Sequence, residues 1–131
     1  MVSLAIGGFF GSISRYSFGE WLHTEQGFPI GTLIVNLLGC LFLGWFFTMS
    51  TTRWERISPQ LKLGIGTGFT GSFTTFSTFS VETLQLLSQE KLGLALFYVL
   101  TSIGGGILLA LAGIQLAVLG SKKPSFKEGS K

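Results

Sequence analysis

Four apolar stretches divide the chain, at residues 2–22, 29–50, 61–87 and 92–119. Each is near the ~20 residues that carry a helix across ~30 Å of hydrocarbon. The connectors, 23–28, 51–60 and 88–91, are short. This pattern predicts an all-α membrane protein, one transmembrane domain over residues 1–121, with a basic disordered tail at 122–131. The first stretch does not read as a cleaved signal peptide. It lacks a basic leader, and Arg15 interrupts its apolar run.

One stretch breaks the apolar pattern. From Gly71 to Ser80 six hydroxyl side chains alternate with three phenylalanines in ten residues, directly after Gly64-x-Gly66-x-Gly68. Hydrocarbon offers no partner to a polar group, so such a segment at membrane depth must face protein or a water-accessible path. Glycine costs ~1 kcal/mol in a helix interior and the paired threonines add to it, so a backbone break is expected between Gly71 and Thr75. Carbonyls freed there are hard oxygen ligands, suited to a small hard cation as a structural part.

Other spans carry matching stripes. Thr32, Asn36 and Gly39 share one helical face, as do Tyr98, Ser102 and Gly105. Phe76, Phe79 or Ser80, and Thr83 form a third stripe. A central Asn can serve a pathway or an interhelical contact worth on the order of 1 kcal/mol, and Asn36 alone does not choose between them. Three stripes that converge suggest a path. Ser3, Gly7 and Gly11 recur every four residues and predict a face for close helix contact, with Gly104 to Gly106 a second small-residue site.

Composition sharpens this reading. Of 131 residues only 11% are charged, about half the ~25% of a soluble domain, and the mean hydropathy is +0.56. There is no Asp, one His (His23) and one Cys (Cys40). No triad, metal cluster or carboxylate pair can be assembled from these, so an enzyme is not expected. Cys40 reads as a small packing residue. The path's sign follows from its groups: amide and hydroxyl donors and the positive edges of Phe rings suit a small anion, whereas a cation channel needs acidic rings or carbonyl arrays. Four spans put both termini on one side, together with Arg53, Arg56, Lys62 and the tail lysines, and Lys91 on the other. The bias favours termini in the cytoplasm of a multi-pass inner (plasma) membrane protein. The tail lysines fit anionic headgroups more economically than nucleic acid.

Three blocks, Gly7-Gly8-x-x-Gly11-x-x-x-Arg15-Tyr16, Gly31-Thr32-Leu33-x-Val35-Asn36-x-x-Gly39 and Gly66-x-Gly68-Phe69-x-Gly71-x-Phe73-Thr74-Thr75-Phe76-Ser77-Thr78-Phe79, resemble the bacterial fluoride channel family (Fluc, also called CrcB). The resemblance spans all four stretches in order. It implies passive, selective export of fluoride through four transmembrane helices, the third broken, paired with a second copy in an antiparallel, dual-topology dimer. It also implies Phe76 and Phe79 as pore walls, donors at Asn36, Tyr98 and Ser102, and Thr32 and Glu82 towards the ends of the path. Ser80 and Thr83, from the third stripe, complete the candidate path. A central sodium ion would be held by the Gly71 and Thr74 backbone carbonyls, and Arg15 would stand near a vestibule. Ser72 departs from the family, which commonly has a second Gly there. The charge bias leaves open one chain of a heterodimeric channel. A small proton-coupled multidrug exporter, the remaining alternative, needs a membrane carboxylate, and here only Glu82 offers one.

Overall fold

A computed structural model describes residues 1–22 and 27–121; His23 and the expected tail at 122–131 lie outside the described residues. The helices are α1 (Val2–Trp21), α2 (Ile30–Thr52), α3 (Pro59–Leu63), α4 (Thr70–Phe73), α5 (Phe76–Ser88) and α6 (Leu92–Ser121). A π-helical segment, Gly64–Phe69, joins α3 to α4. No strand occurs among the described residues.

The two longest helices, α2 and α6, lie side by side and are each long and apolar enough to cross a membrane. Glycine permits their approach. A Cβ on Gly44 would strike the Ala110 carbonyl, and one on Gly113 the Leu41 carbonyl. Leu100, Leu108 and Leu119 of α6 point outward, as a lipid-facing surface requires where hydrophobic burial drives nothing. Basic side chains meet the exposed carbonyls at two helix ends. Arg53 Nη1 donates to Gly120 O at 2.6 Å, and Lys62 Nζ to Ser50 O at 2.9 Å, complementing the negative ends of α6 and α2.

The face formed by Ser3, Gly7 and Gly11 presses α1 onto the π segment and α4. A Cβ on Gly7 would strike the Gly64 carbonyl; one on Gly64 would sit 2.6 Å from Ser3 O, and one on Gly68 2.7 Å from Leu4 O. Thr70 marks the wide turn: its N–H reaches the Ile65 carbonyl and its hydroxyl donates there too, at 3.2 Å. The sequence pattern does not distinguish this π segment, because six residues are too few for its longer period to register.

The third stretch leaves the helical path only at Thr74 (φ −77°, ψ 157°) and Thr75 (φ −145°, ψ 117°). Gly71 itself stays within α4. The interruption is therefore narrower than the Gly71-to-Thr75 expectation, and it falls on the β-branched pair, which accepts extended backbone more readily than a helix does. Thr75 then restarts the helix as the N-cap of α5, its Oγ1 accepting the Thr78 N–H at 3.2 Å. At the far end Lys91 N–H bonds Leu86 O and Glu90 N–H bonds Leu87 O, both at 3.0 Å, with Glu90 at φ 58°. That is a Schellman cap with Glu where Gly is usual.

Candidate functional site

The α2 stripe faces the third stretch along its length. Thr32 Oγ1 donates to Glu82 Oε1 at 2.8 Å. Asn36 makes two bonds to one residue: Nδ2 donates to Thr75 O at 3.1 Å, and Oδ1 accepts the Thr75 N–H at 2.8 Å. Gly39 abuts the Thr74 methyl group. From α6, the fully buried Tyr98 donates its hydroxyl to Glu82 Oε2 at 2.7 Å. Each Glu82 oxygen therefore has its own hydroxyl donor, a pair of charge-assisted bonds to a half-buried side chain.

Two cavities flank this cluster. One, about 560 Å³ and open to the surface, is lined by Asn36, Cys40, Gly71, Thr74, Phe76, Phe79 and Ser102 among others. Its wall is mostly apolar, and the buried Ser102 Oγ has no hydrogen-bond partner. Phe76 stands 80% exposed there. The Phe79 ring lies 5.9 Å from Phe76 and 5.1 Å from Tyr98, linking the cavity to the Glu82 cluster. The other cavity, about 360 Å³, is a polar mouth lined by Tyr16, Glu20, Thr32, Glu82, Gln85 and Gln89 among others. The polar groups thus fall in one line, from Ser102 and Asn36 past Phe79 and Tyr98 to Thr32, Glu82 and the mouth. In its inner part the uncommitted donors are the Ser102 hydroxyl and one Nδ2 hydrogen of Asn36, beside the Phe76 and Phe79 rings. Hydroxyl and amide hydrogens can solvate a small anion.

The predicted residues divide on inspection. Thr32, Asn36, Phe76, Phe79, Glu82, Tyr98 and Ser102 lie along this line. Ser80 and Thr83 instead turn their hydroxyls back on α5, to Phe76 O at 2.9 Å and Phe79 O at 2.7 Å. Arg15, half-buried on α1, lines neither cavity. Sequence reasoning missed the polar mouth and the part played by Thr75, whose hydroxyl also bonds Thr78 Oγ1 at 3.0 Å. A Thr directly before a restarting helix is a candidate N-cap, but the hydrogen bonds of the Thr75 peptide to Asn36 carry no signal in residue type.

For a cation the donor set is backbone only; no group of three or more His, Cys, Asp or Glu side chains forms among the described residues. Several carbonyls at the interruption lose their helical donors, among them those of the two residues expected to hold a cation. The Thr75 N–H that would close a helix on Gly71 O goes to Asn36, and the Thr78 N–H that would close on Thr74 O goes to Thr75 Oγ1. Gly71 O and Thr74 O lose their helical donors in this way, and as hard oxygens they fit a small hard cation.

Residues 2–114 match the model of the CrcB-like protein, Camphor Resistance (CrcB) family. A protein of Oceanobacillus iheyensis named fluoride-specific ion channel FluC is 48% identical over 118 residues, covering 90% of this chain and 91% of that protein. One of Moorella thermoacetica named fluoride-specific ion channel FluC 1 is 47% identical, covering 88% of this chain and 84% of that protein. A Bacillus cereus protein of the same name is 43% identical over 130 residues, covering 98% and 89%.

Proposed function

The chain belongs to the CrcB-like family, and on that premise we propose that it forms a passive, selective fluoride channel exporting fluoride across the plasma membrane. One observation carries a pathway over mere packing: polar side chains of α2, α5 and α6 fall in one line, with the buried Ser102 Oγ left without a partner beside an open cavity. A buried hydroxyl without a bond costs ~1–3 kcal/mol unless a ligand or water supplies it. The identity of the ion rests on the relatives' names, and their chemistry agrees with a wall of donors and ring edges.

In this reading α1, α2, the interrupted third stretch and α6 all cross the bilayer. The working unit is two chains. Phe76 is 80% exposed on the single chain, and a Cβ at Gly71 would meet nothing within 4 Å. Both features leave room for a covering partner, which in this reading is a second copy set antiparallel, as the family resemblance implies. Mass analysis of the purified complex tests this, since a non-identical second chain would appear as a second mass. Gly71 and Thr74 carbonyls from both copies would hold a structural sodium ion. When bound it supplies positive charge at the interface. Fluoride would then move along Ser102, Asn36, the Phe76 and Phe79 edges, Tyr98 and Thr32, with Glu82 at the mouth end.

The test is fluoride-electrode efflux from proteoliposomes, with chloride as control. Rapid fluoride release with chloride retained is the expected result. Absence of release, or equal chloride flux, overturns the proposal.

A further inference from the structure

Thr75 is the one residue that meets both ends of a side-chain amide in the line. Its extended backbone (φ −145°, ψ 117°) projects N–H and C=O to the same side, so the Asn36 carboxamide closes on both at 2.8 and 3.1 Å. The chemistry admits one orientation only. A peptide N–H can only donate and a carbonyl can only accept, so turning the amide over would set N–H against N–H and O against O. One Nδ2 hydrogen remains outside the pair, and Asn36 lies on the wall of the 560 Å³ cavity beside Phe76, Phe79 and Ser102. An unclamped Asn could offer either its N–H or its C=O to a passing ion.

We propose that the Thr75 peptide is a selectivity-determining clamp: it fixes the polarity of Asn36, so that this amide always presents a donor to the path and never an acceptor. The inference rests on the channel reading and assigns Thr75 a positioning role within it. The clamp links two features of the third stretch. The Thr75 N–H that orients Asn36 is also the donor withheld from Gly71 O, so the helix interruption itself orients the pore amide.

Two measurements test it. The first is amide-resolved hydrogen exchange by NMR, in nanodiscs and fluoride-free buffer. The Thr75 N–H should be protected in the wild type and exchange about tenfold faster or more in Asn36→Ala. Equal exchange in both overturns the clamp. If Asn36→Ala does not assemble, Asn36→Gln replaces it, keeping an amide but breaking the pair by one methylene, with the same expectation. The second replaces the Thr75 peptide N–H by an ester oxygen, using the α-hydroxy acid analogue of Thr. Fluoride efflux should fall roughly tenfold with the oligomer intact on gel filtration; wild-type efflux overturns the polarity claim. A wild type that carries no fluoride sinks the channel reading, while the exchange result still decides whether the clamp exists.

Discussion

The glycines of the π segment and the glycine of α4 lie within a few residues of each other and have opposite reasons to exist. At Gly64 and Gly68 a Cβ would sit 2.6 and 2.7 Å from carbonyl oxygens of α1. At Gly71 it would meet nothing within 4 Å. The first two are explained by packing inside this chain and need no ligand or partner. The third is explained by nothing inside the chain. The hydroxyls divide in the same way: Thr70 is tied to Ile65 and Thr78 to Thr75, whereas Ser102 is buried with no partner. Open space alone does not mark function, since Gly19, Gly93, Gly104 and Gly120 have it too; Gly71 differs from Gly64 and Gly68 in adding a place on the wall of the cavity that Ser102 also lines.

The contrast is broken most strongly at Phe76. Its ring is 80% exposed on the single chain and, among the described residues, has Phe79 as its aromatic neighbour, so folding places little demand on it. Phe76→Ile should cut fluoride efflux by about 100-fold, ~2.7 kcal/mol of barrier, because an aliphatic side chain offers no positive ring edge. The oligomer should survive on gel filtration. Loss of assembly with unchanged efflux per channel would move Phe76 from the pore to the packing side of the comparison.

The glycines themselves give a paired test. Gly7→Ala drives a methyl group onto the Gly64 carbonyl and should cost about 1–3 kcal/mol of folding stability, read as a lower unfolding temperature in detergent. Gly71→Ala should leave the folding of the single chain unharmed, or raise it by up to ~1 kcal/mol, since alanine favours a helix. Its effect should appear in dimer formation and efflux instead. Equal destabilisation by both variants would erase the distinction between the two regions.

Much of this is legible in the sequence. The Thr32–Asn36–Gly39 face and the Tyr98–Ser102 face both point where helical periodicity puts them, because period is a local property. The Ser3–Gly7–Gly11 face likewise met a partner backbone. What periodicity cannot tell is which bond a hydroxyl chooses. Ser80 and Thr83 have the right residue type and helical register, yet bond their own helix. The role of Thr75 was hidden for a related reason: its contribution is a peptide group, and every residue but proline has a peptide N–H. The π segment is illegible because six residues are too few for its period to register, and the α1 backbone it packs against is more than fifty residues away.

Tyr98 sharpens the polar side of the contrast by a smaller amount. Tyr98→Phe removes the hydroxyl that donates to Glu82 Oε2 at 2.7 Å and leaves the ring packed against Phe28 and Phe79. The carboxylate keeps its Thr32 donor, so half its solvation persists. Efflux should fall about threefold, ~0.6 kcal/mol, with folding stability lowered by about 1 kcal/mol. Thr32→Val in the same background should then cost more than it does alone, because Glu82 would lose its last hydroxyl donor; simple additivity would mean the two act separately.

The smallest effect belongs to Ser80 and Thr83, and it discriminates between residue type and geometry. Ser80 ends the hydroxyl-rich run and Thr83 follows it on α5, and by type alone both belong to the path. Their protons are committed within their own helix, to Phe76 O and Phe79 O four residues back, whereas Thr32 and Tyr98 donate across helices to Glu82. Neither Ser80 nor Thr83 lines either of the two cavities beside the cluster. Such back-bonded hydroxyls contribute little to a helix and can be removed at low cost. Ser80→Ala should therefore keep efflux within about twofold of the wild type, a change of under ~0.4 kcal/mol, and Thr83→Val should behave alike. Ser102→Ala, with the same atoms removed from a hydroxyl that has no partner, should exceed both in its effect on efflux. If Ser80→Ala matched Ser102→Ala, hydroxyl content rather than unmet bonding would be the property that builds this path.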